Sequence, residues 1–302
     1  MKEYKDILFK EAGGHGLYMD ITVPETEEKP PVIMWIHGGG WNQLKKNWSL
    51  VGNMPEKGYA VASVEYRYCD EAPFPAQMYD LKDALLFIRK HADEYGYDGS
   101  RLIVSGDSAG SHMACLIGVS AGNRAWEKEG EDYSVQAVVD FCGPTWIADL
   151  KNGPDAPAGS MLPMETFLNV PADSKEWYQR AAEASPETYV NGTEPPFLIV
   201  HGSIDPVVPR SHAIKMRNAL EAAGDTVHMY LVPGGVHAMG GALLDSVVAE
   251  FLDYYMKDIK TIEEPKVLDC HMRDLPLRIN MDTVSRRKAH SMALKYGSRR
   301  ED

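Results

Sequence analysis

Seven short apolar runs punctuate the chain, at 17–23, 31–37, 59–66, 101–106, 135–142, 196–202 and 226–232. Several, such as PVIMWIH and RLIVSG, are apolar nearly throughout, the pattern of strands covered on both faces. Between them the period lengthens. In residues 76–94, Met78, Leu81, Leu85, Ile88 and Ala92 recur three or four apart and form one apolar stripe. Residues 109–121, 209–223 and 242–258 read the same way, and in the last Leu243, Leu244, Val247, Val248, Phe251, Leu252 and Tyr255 are expected to share a face. Strand–helix alternation of this length predicts an α/β fold with a mostly parallel, doubly wound sheet of eight strands. The first two runs precede the alternation and are expected to form an antiparallel edge or hairpin, with GGHG at 13–16 as a turn.

Two segments break the rhythm. Residues 143–195 are rich in Pro, Gly, Met and Trp, with only short helical stretches such as 174–184. A long irregular connection in a compact domain suggests a lid or pocket insertion. Beyond 259 the pattern fades again, so the expected catalytic domain is 1–259. Residues 260–302 carry 10 Lys/Arg against 7 Asp/Glu, a net +3 on a chain of net charge −13. This basic extension is expected to fold back on the acidic body, reach a second copy as a homo-oligomer contact, or stay loose.

Net charge −13 gives no electrostatic support for binding nucleic acid or an anionic membrane. Cys69, Cys115, Cys142 and Cys270 are irregularly spaced, without the C-x-x-C of a zinc site or redox pair. Buried free thiols are the simpler reading of Cys115 and Cys142. No run approaches the ~18 apolar residues of a membrane span, and residues 1–14 lack a long apolar core and an A-x-A cleavage site. The expectation is a cytoplasmic protein with no cofactor and no metal.

The candidate chemistry lies where strand runs end. Gly106-Asp107-Ser108-Ala109-Gly110 matches G-x-S-x-G between a strand and a helix. A serine at such a turn is exposed at its tip, with a helix N-terminus behind it. The glycines are needed because side chains would clash with the neighbouring helix and strand. A hydroxyl is a weak nucleophile and requires a base. His37-Gly38-Gly39-Gly40-Trp41 follows an earlier strand run and can present backbone N–H groups to an oxyanion. Gly39, Gly40 and Ala109 are the expected donors. Asp205 follows the strand run 196–202, and His237 lies in a glycine-flanked loop after 226–232. Ser, Asp, His in that order predicts a triad in which Asp205 orients the imidazole and His237 moves the proton. His112 is read as packing beneath the turn, His201 as bonding backbone, and His37 as bracing its loop.

HGGGW, VEYRY, FPAQMYDLKDAL, SGDSAGSHMA, ASPETYV, HGSIDPVVP and GGVHA follow one another over residues 30–258. In this the chain resembles α/β-hydrolase esterases of the hormone-sensitive-lipase-like group, most closely the bacterial carbohydrate esterase and feruloyl esterase branch. The resemblance implies Ser108, Asp205 and His237 as triad and an oxyanion hole around Gly39, Gly40 and Ala109. It also matches Arg67 and Asp80 to a pair read here as a structural brace. A large N-terminal cap found in lipase-like relatives is missing, so 143–195 would have to shape the pocket.

The expected activity is serine carboxylic-ester hydrolysis through an acyl-enzyme, on small acyl groups such as acetyl or feruloyl on plant carbohydrate. Trp41, Trp146, Met161 and Met164 are the expected pocket walls. The alternatives are an amide hydrolase with the same triad, peptidase or arylformamidase-like, and a non-catalytic binding protein on the same fold.

Overall fold

A computed structural model describes residues 1–122, 126–152 and 162–259 of the 302-residue chain. Eight strands form one sheet: β1 (Lys2–Ala12), β2 (His15–Val23), β3 (Pro31–Ile36), β4 (Ala60–Val64), β5 (Asp98–Asp107), β6 (Ala137–Phe141), β7 (Phe197–Gly202) and β8 (Val227–Val232). Their spatial order is β1-β2-β4-β3-β5-β6-β7-β8. The β1–β2 and β2–β4 pairings are antiparallel, and every other pairing is parallel.

The apolar runs at 59–66, 101–106, 135–142, 196–202 and 226–232 became β4 to β8, as the patterning requires. Two details differ. The partner of β2 is β1, whose burial is too uneven to show a strand period. Run 31–37, expected at an antiparallel edge, is β3, which lies inside the sheet and pairs in parallel with both β4 and β5. It is buried at every position. The GGHG turn does close the β1–β2 hairpin, with Gly13 and Gly14 at φ +63° and +84°.

Helices α1 (Ala76–Lys90), α2 (Ala92–Tyr95), α3 (Ala109–Val119), α4 (Asp149–Asn152), α5 (Met164–Leu168), α6 (Trp177–Glu183), α7 (Ser211–Ala223) and α8 (Ala242–Met256) complete the order. Side-chain alternation along β3 sends Val32, Met34 and Ile36 to a core shared with α1, α3 and α7. Ile33 and Trp35 face the opposite core, which α8 closes with Leu244, Val248, Phe251 and Leu252. Both faces are covered, which is why the central strands carry no polar period.

The described part of 143–195 is built into the first core. Ile147, Leu150, Met164, Phe167, Leu168, Trp177 and Ala181 are buried there. Residues 260–302, with their expected oligomer contact and Cys270, lie outside the described residues, as does Met161. No helix among the described residues is long and apolar enough to cross a membrane.

Candidate active site

The parallel strands β5 to β8 end side by side, so the loops that follow them meet along one edge of the sheet. Ser108 stands at the β5–α3 turn with φ +52° and ψ −121°. A non-glycine residue rarely adopts this conformation, and such strain collects at functional turns. The turn is tight because the chain passes close to itself. A Cβ on Gly106 would stand 2.5 Å from the Gly110 carbonyl carbon, and one on Gly110 would stand 2.1 Å from the Ile36 oxygen. Either contact would push the elbow apart, in agreement with the steric reading of the motif. The Ser108 N–H is held by the Phe141 carbonyl at 2.9 Å.

The loop after β7 presents Asp205, and the loop after β8 presents His237. His237 Nδ1 lies 2.7 Å from Asp205 Oδ2, with both side chains buried. Asp205 Oδ1 also accepts the N–H groups of Val207 and Val208, which fixes the carboxylate. Burial disfavours the imidazolium, but the adjacent Asp205 carboxylate more than offsets it and raises the ring well above the usual histidine pKa. For Asp205, burial acts upward, while the His237 charge and hydrogen bond bring its pKa below the usual carboxylate value. A Ser–His–Asp set needs this arrangement: Nδ1 committed to the acid, leaving Nε2 for the nucleophile.

The glycine loop after β3 is pinned by the residue that precedes the serine. Asp107 Oδ1 accepts the Gly38 N–H at 2.8 Å, and Oδ2 accepts the Trp48 indole N–H at 3.0 Å. Burial pushes the Asp107 carboxyl up to about 6 despite these bonds. Gly39 has φ +99°, and a Cβ there would meet the Gln43 carbonyl oxygen at 2.2 Å, so only glycine lets the loop turn. Gly40 lies under Leu162 and Pro163, where a Cβ would come within 3.2 Å of Leu162 Cδ2. The insertion therefore reaches over the glycine loop.

His37 and His112 brace this architecture. His37 Nδ1 pairs with the Gly38 oxygen at 2.9 Å and its ring stacks on Tyr66, and burial holds its pKa near about 4. His112 accepts the Trp41 indole N–H on Nδ1 at 3.2 Å and donates from Nε2 to the Ala184 carbonyl at 2.6 Å. His201 Nε2 bonds the Val208 carbonyl at 2.9 Å. Arg67 grips Asp80 with Nε and Nη2, each at 2.8 Å, and Lys10 adds a second cation at 2.8 Å.

The expected pocket walls fare differently. Trp41 has no exposed surface; it is stacked on Phe167 with ring centroids 4.5 Å apart. It supports the glycine loop from below and is not a wall. Met164 is likewise buried in the core. Trp146 is half-buried, its backbone N–H directed at His212 Nδ1 at 3.3 Å. An aromatic side chain that lies beside these loops is Trp48. With Leu44 it packs on Cys142 and Ala238, the latter next to His237. Its signal in the sequence was slight, a tryptophan in a polar loop seven residues past Trp41. Asp107 carried a plainer one, a carboxylate between a strand and Ser108 of the G-x-S-x-G turn.

Cys142 Sγ, an Asp205 oxygen and a His237 nitrogen lie within 4.8 Å of one another, a set of donors that could hold a soft cation. The Nδ1–Asp205 bond already occupies two of them.

A mostly parallel sheet with a strained serine turn after β5, an aspartate after β7 and a histidine after β8 has the layout of an α/β-hydrolase. Residues 19–220 match the BD-FAE family, and the chain belongs to it. It is 29% identical over 238 residues to Esterase LipQ of Mycobacterium tuberculosis, covering 76% of this chain and 55% of LipQ. The chain spans about half the length of the curated relatives it matches. Among solved structures it is similar to a truncated carbohydrate esterase from gut microbiota, with TM-score 0.74 and 25% identity. That match covers 84% of this chain and 96% of that one. A bifunctional GH43-CE protein of Bacteroides eggerthii matches with TM-score 0.75 and 28% identity, over 84% of this chain and 35% of the other.

Proposed function

We propose that the protein hydrolyses carboxylic esters through an acyl-enzyme on Ser108, with short acyl groups on a carbohydrate alcohol as substrate. The observation that carries this is the buried His237–Asp205 pair at 2.7 Å, on the same sheet edge as a strained Ser108. His237 Nε2 removes the Ser108 proton as Oγ attacks the acyl carbon. The N–H groups of Gly39, Gly40 and Ala109 stabilise the oxyanion, with the N-terminus of α3 behind them. The imidazolium then protonates the departing alcohol. Water, deprotonated by the same ring, attacks the ester and returns the acid and the free serine.

The carbohydrate alcohol is supported by the likeness to a carbohydrate esterase and to a GH43-CE protein. A short acyl group is favoured by Leu162 and Pro163, which crowd Gly40. The test is a panel of p-nitrophenyl esters, acetyl to decanoyl plus ferulate, with wild type and Ser108→Ala. Turnover greatest for acetyl and lost in the variant is expected. Preference for ferulate would overturn the acyl assignment. Folded protein inactive on every ester would point to an amide substrate or a binding role.

A further inference from the structure

Cys142 is tied to every strand end that carries a triad member. Its own N–H donates to the Val200 carbonyl on β7 at 2.9 Å, and the preceding carbonyl, that of Phe141, holds the Ser108 N–H. Its Sγ accepts the N–H of Ala238 at 3.3 Å. The same sulfur lies within 4.8 Å of a His237 ring nitrogen. The residue is 2% exposed and adopts φ +50°.

That φ is the telling feature. Glycine would take it at no cost, whereas a side chain is strained there. Cysteine at such a position is worth its strain only if the side chain does something. Ala238, its partner, is also at φ +53°, and Leu44 packed against both is at φ +64°. Three strained residues close on one another directly beside the base.

Burial raises the Cys142 thiol pKa, so it stays protonated and is a poor nucleophile. Its chemistry is therefore that of a weak, polarisable acceptor. Resting on the serine-esterase reading, we infer that Cys142 is a positioning residue for His237: its sulfur holds the Ala238 amide and flanks the imidazole, so that Nε2 stays directed at Ser108. Asp205 fixes the ring through Nδ1 only, and a single hydrogen bond leaves rotation about that contact. The sulfur supplies the second restraint.

The groups facing His237 are Asp205 after β7, Asp107 at the end of β5 and Cys142 after β6, with His201 behind Asp205. Removing the sulfur contact takes away one interaction that favours the imidazolium. The ring then titrates at lower pH while both aspartates stay in place.

Cys142→Gly is the informative variant, since its backbone is relaxed at this φ, so loss of folding is not expected. Cys142→Ser keeps an acceptor for the Ala238 N–H. On a p-nitrophenyl ester, C142G is expected to lower kcat about 10- to 100-fold with KM little changed. C142S recovers most of that loss. The His237 ring titration, followed by NMR, moves to lower pH in C142G, and this readout needs no turnover. Wild-type kcat and an unmoved titration in C142G would overturn the proposal. So would equal impairment of C142G and C142S through KM, which marks simple packing. If the wild type hydrolyses no ester yet the titration moves, the esterase reading fails and the Cys142–His237 contact stands.

Discussion

The carboxylate of Asp107 accepts the backbone N–H of Gly38 at 2.8 Å. The residue before Ser108 thus anchors the glycine loop, tying Ser108 to the proposed oxyanion donors. Asp107→Ala would leave the buried Gly38 N–H without this acceptor and remove the Trp48 indole contact. A stability loss of about 1–3 kcal/mol is expected for the unpaired Gly38 donor. The loop would also lose its alignment, so kcat should fall about 10²-fold, the cost of an oxyanion donor. Asp107→Asn keeps one acceptor but turns an NH₂ toward a donor, so it should lie between. Denaturant titrations with kinetics check both. A kcat for Asp107→Ala within threefold of wild type would separate this carboxylate from catalysis.

His237 must be neutral to act as base. Burial works against its charged form, but Asp205 prevails and raises its pKa above the ordinary value of about 6.5. The rate should therefore climb with pH through a midpoint above about 6.5 and be weak below it. An unperturbed histidine would give a midpoint of about 6.5; the buried carboxylate at 2.7 Å moves it upward. Asp205→Asn should bring the midpoint down and cut kcat by about 10³–10⁴-fold. A flat profile of kcat/KM between pH 5 and 8 would count against His237.

Much of this site could be read from residue order, because each signal was local. Ser108, Asp205 and His237 each come shortly after a largely apolar strand run. The elbow glycines showed themselves because a short pentapeptide carries the whole steric demand. What stayed hidden depended on long-range packing. β1 has half-exposed, mixed residues and becomes a strand only by pairing with β2. Trp41 looked like a pocket wall from its place after three glycines. Its ring turns inward because Phe167 of the insertion and His112 of α3 close around it. Cys142 gave no motif at all; only the convergence of β6 with the loops after β7 and β8 brings its sulfur to His237.

Asp80 is wholly buried and carries two cationic partners, Arg67 and Lys10. Arg67 follows Tyr66, whose hydroxyl donates to the His37 carbonyl at 3.0 Å, so the pair steadies the base of the glycine loop. Breaking a buried pair from one side strands the other charge. Asp80→Ala should cost about 3–5 kcal/mol. A double-mutant cycle with Arg67→Ala should return a coupling of about 1–3 kcal/mol. Zero coupling would mean that the two act independently.

His112 is a neutral strut whose charge the fold cannot accept. Burial lowers its pKa to about 4, against about 6.5 in an unfolded chain. Between those values the unfolded form binds one proton more than the folded form does. The contribution to stability is therefore whole above about pH 6.5 and is lost as pH falls toward about 4. One proton corresponds to about 1.4 kcal/mol per pH unit, or roughly 3 kcal/mol over the window. Replacing the ring by glutamine offers the Trp41 indole an acceptor and the Ala184 carbonyl a donor, without a titrating group. His112→Gln should thus be less stable than wild type at pH 7, where the ring fits best. Its stability should fall less steeply on acidification, by about 1.4 kcal/mol per pH unit between pH 4.5 and 6. Urea midpoints for both proteins across that range measure the difference in slope. Parallel slopes would show that His112 is protonated alike in the folded and unfolded chain, and so is not buried as a neutral ring.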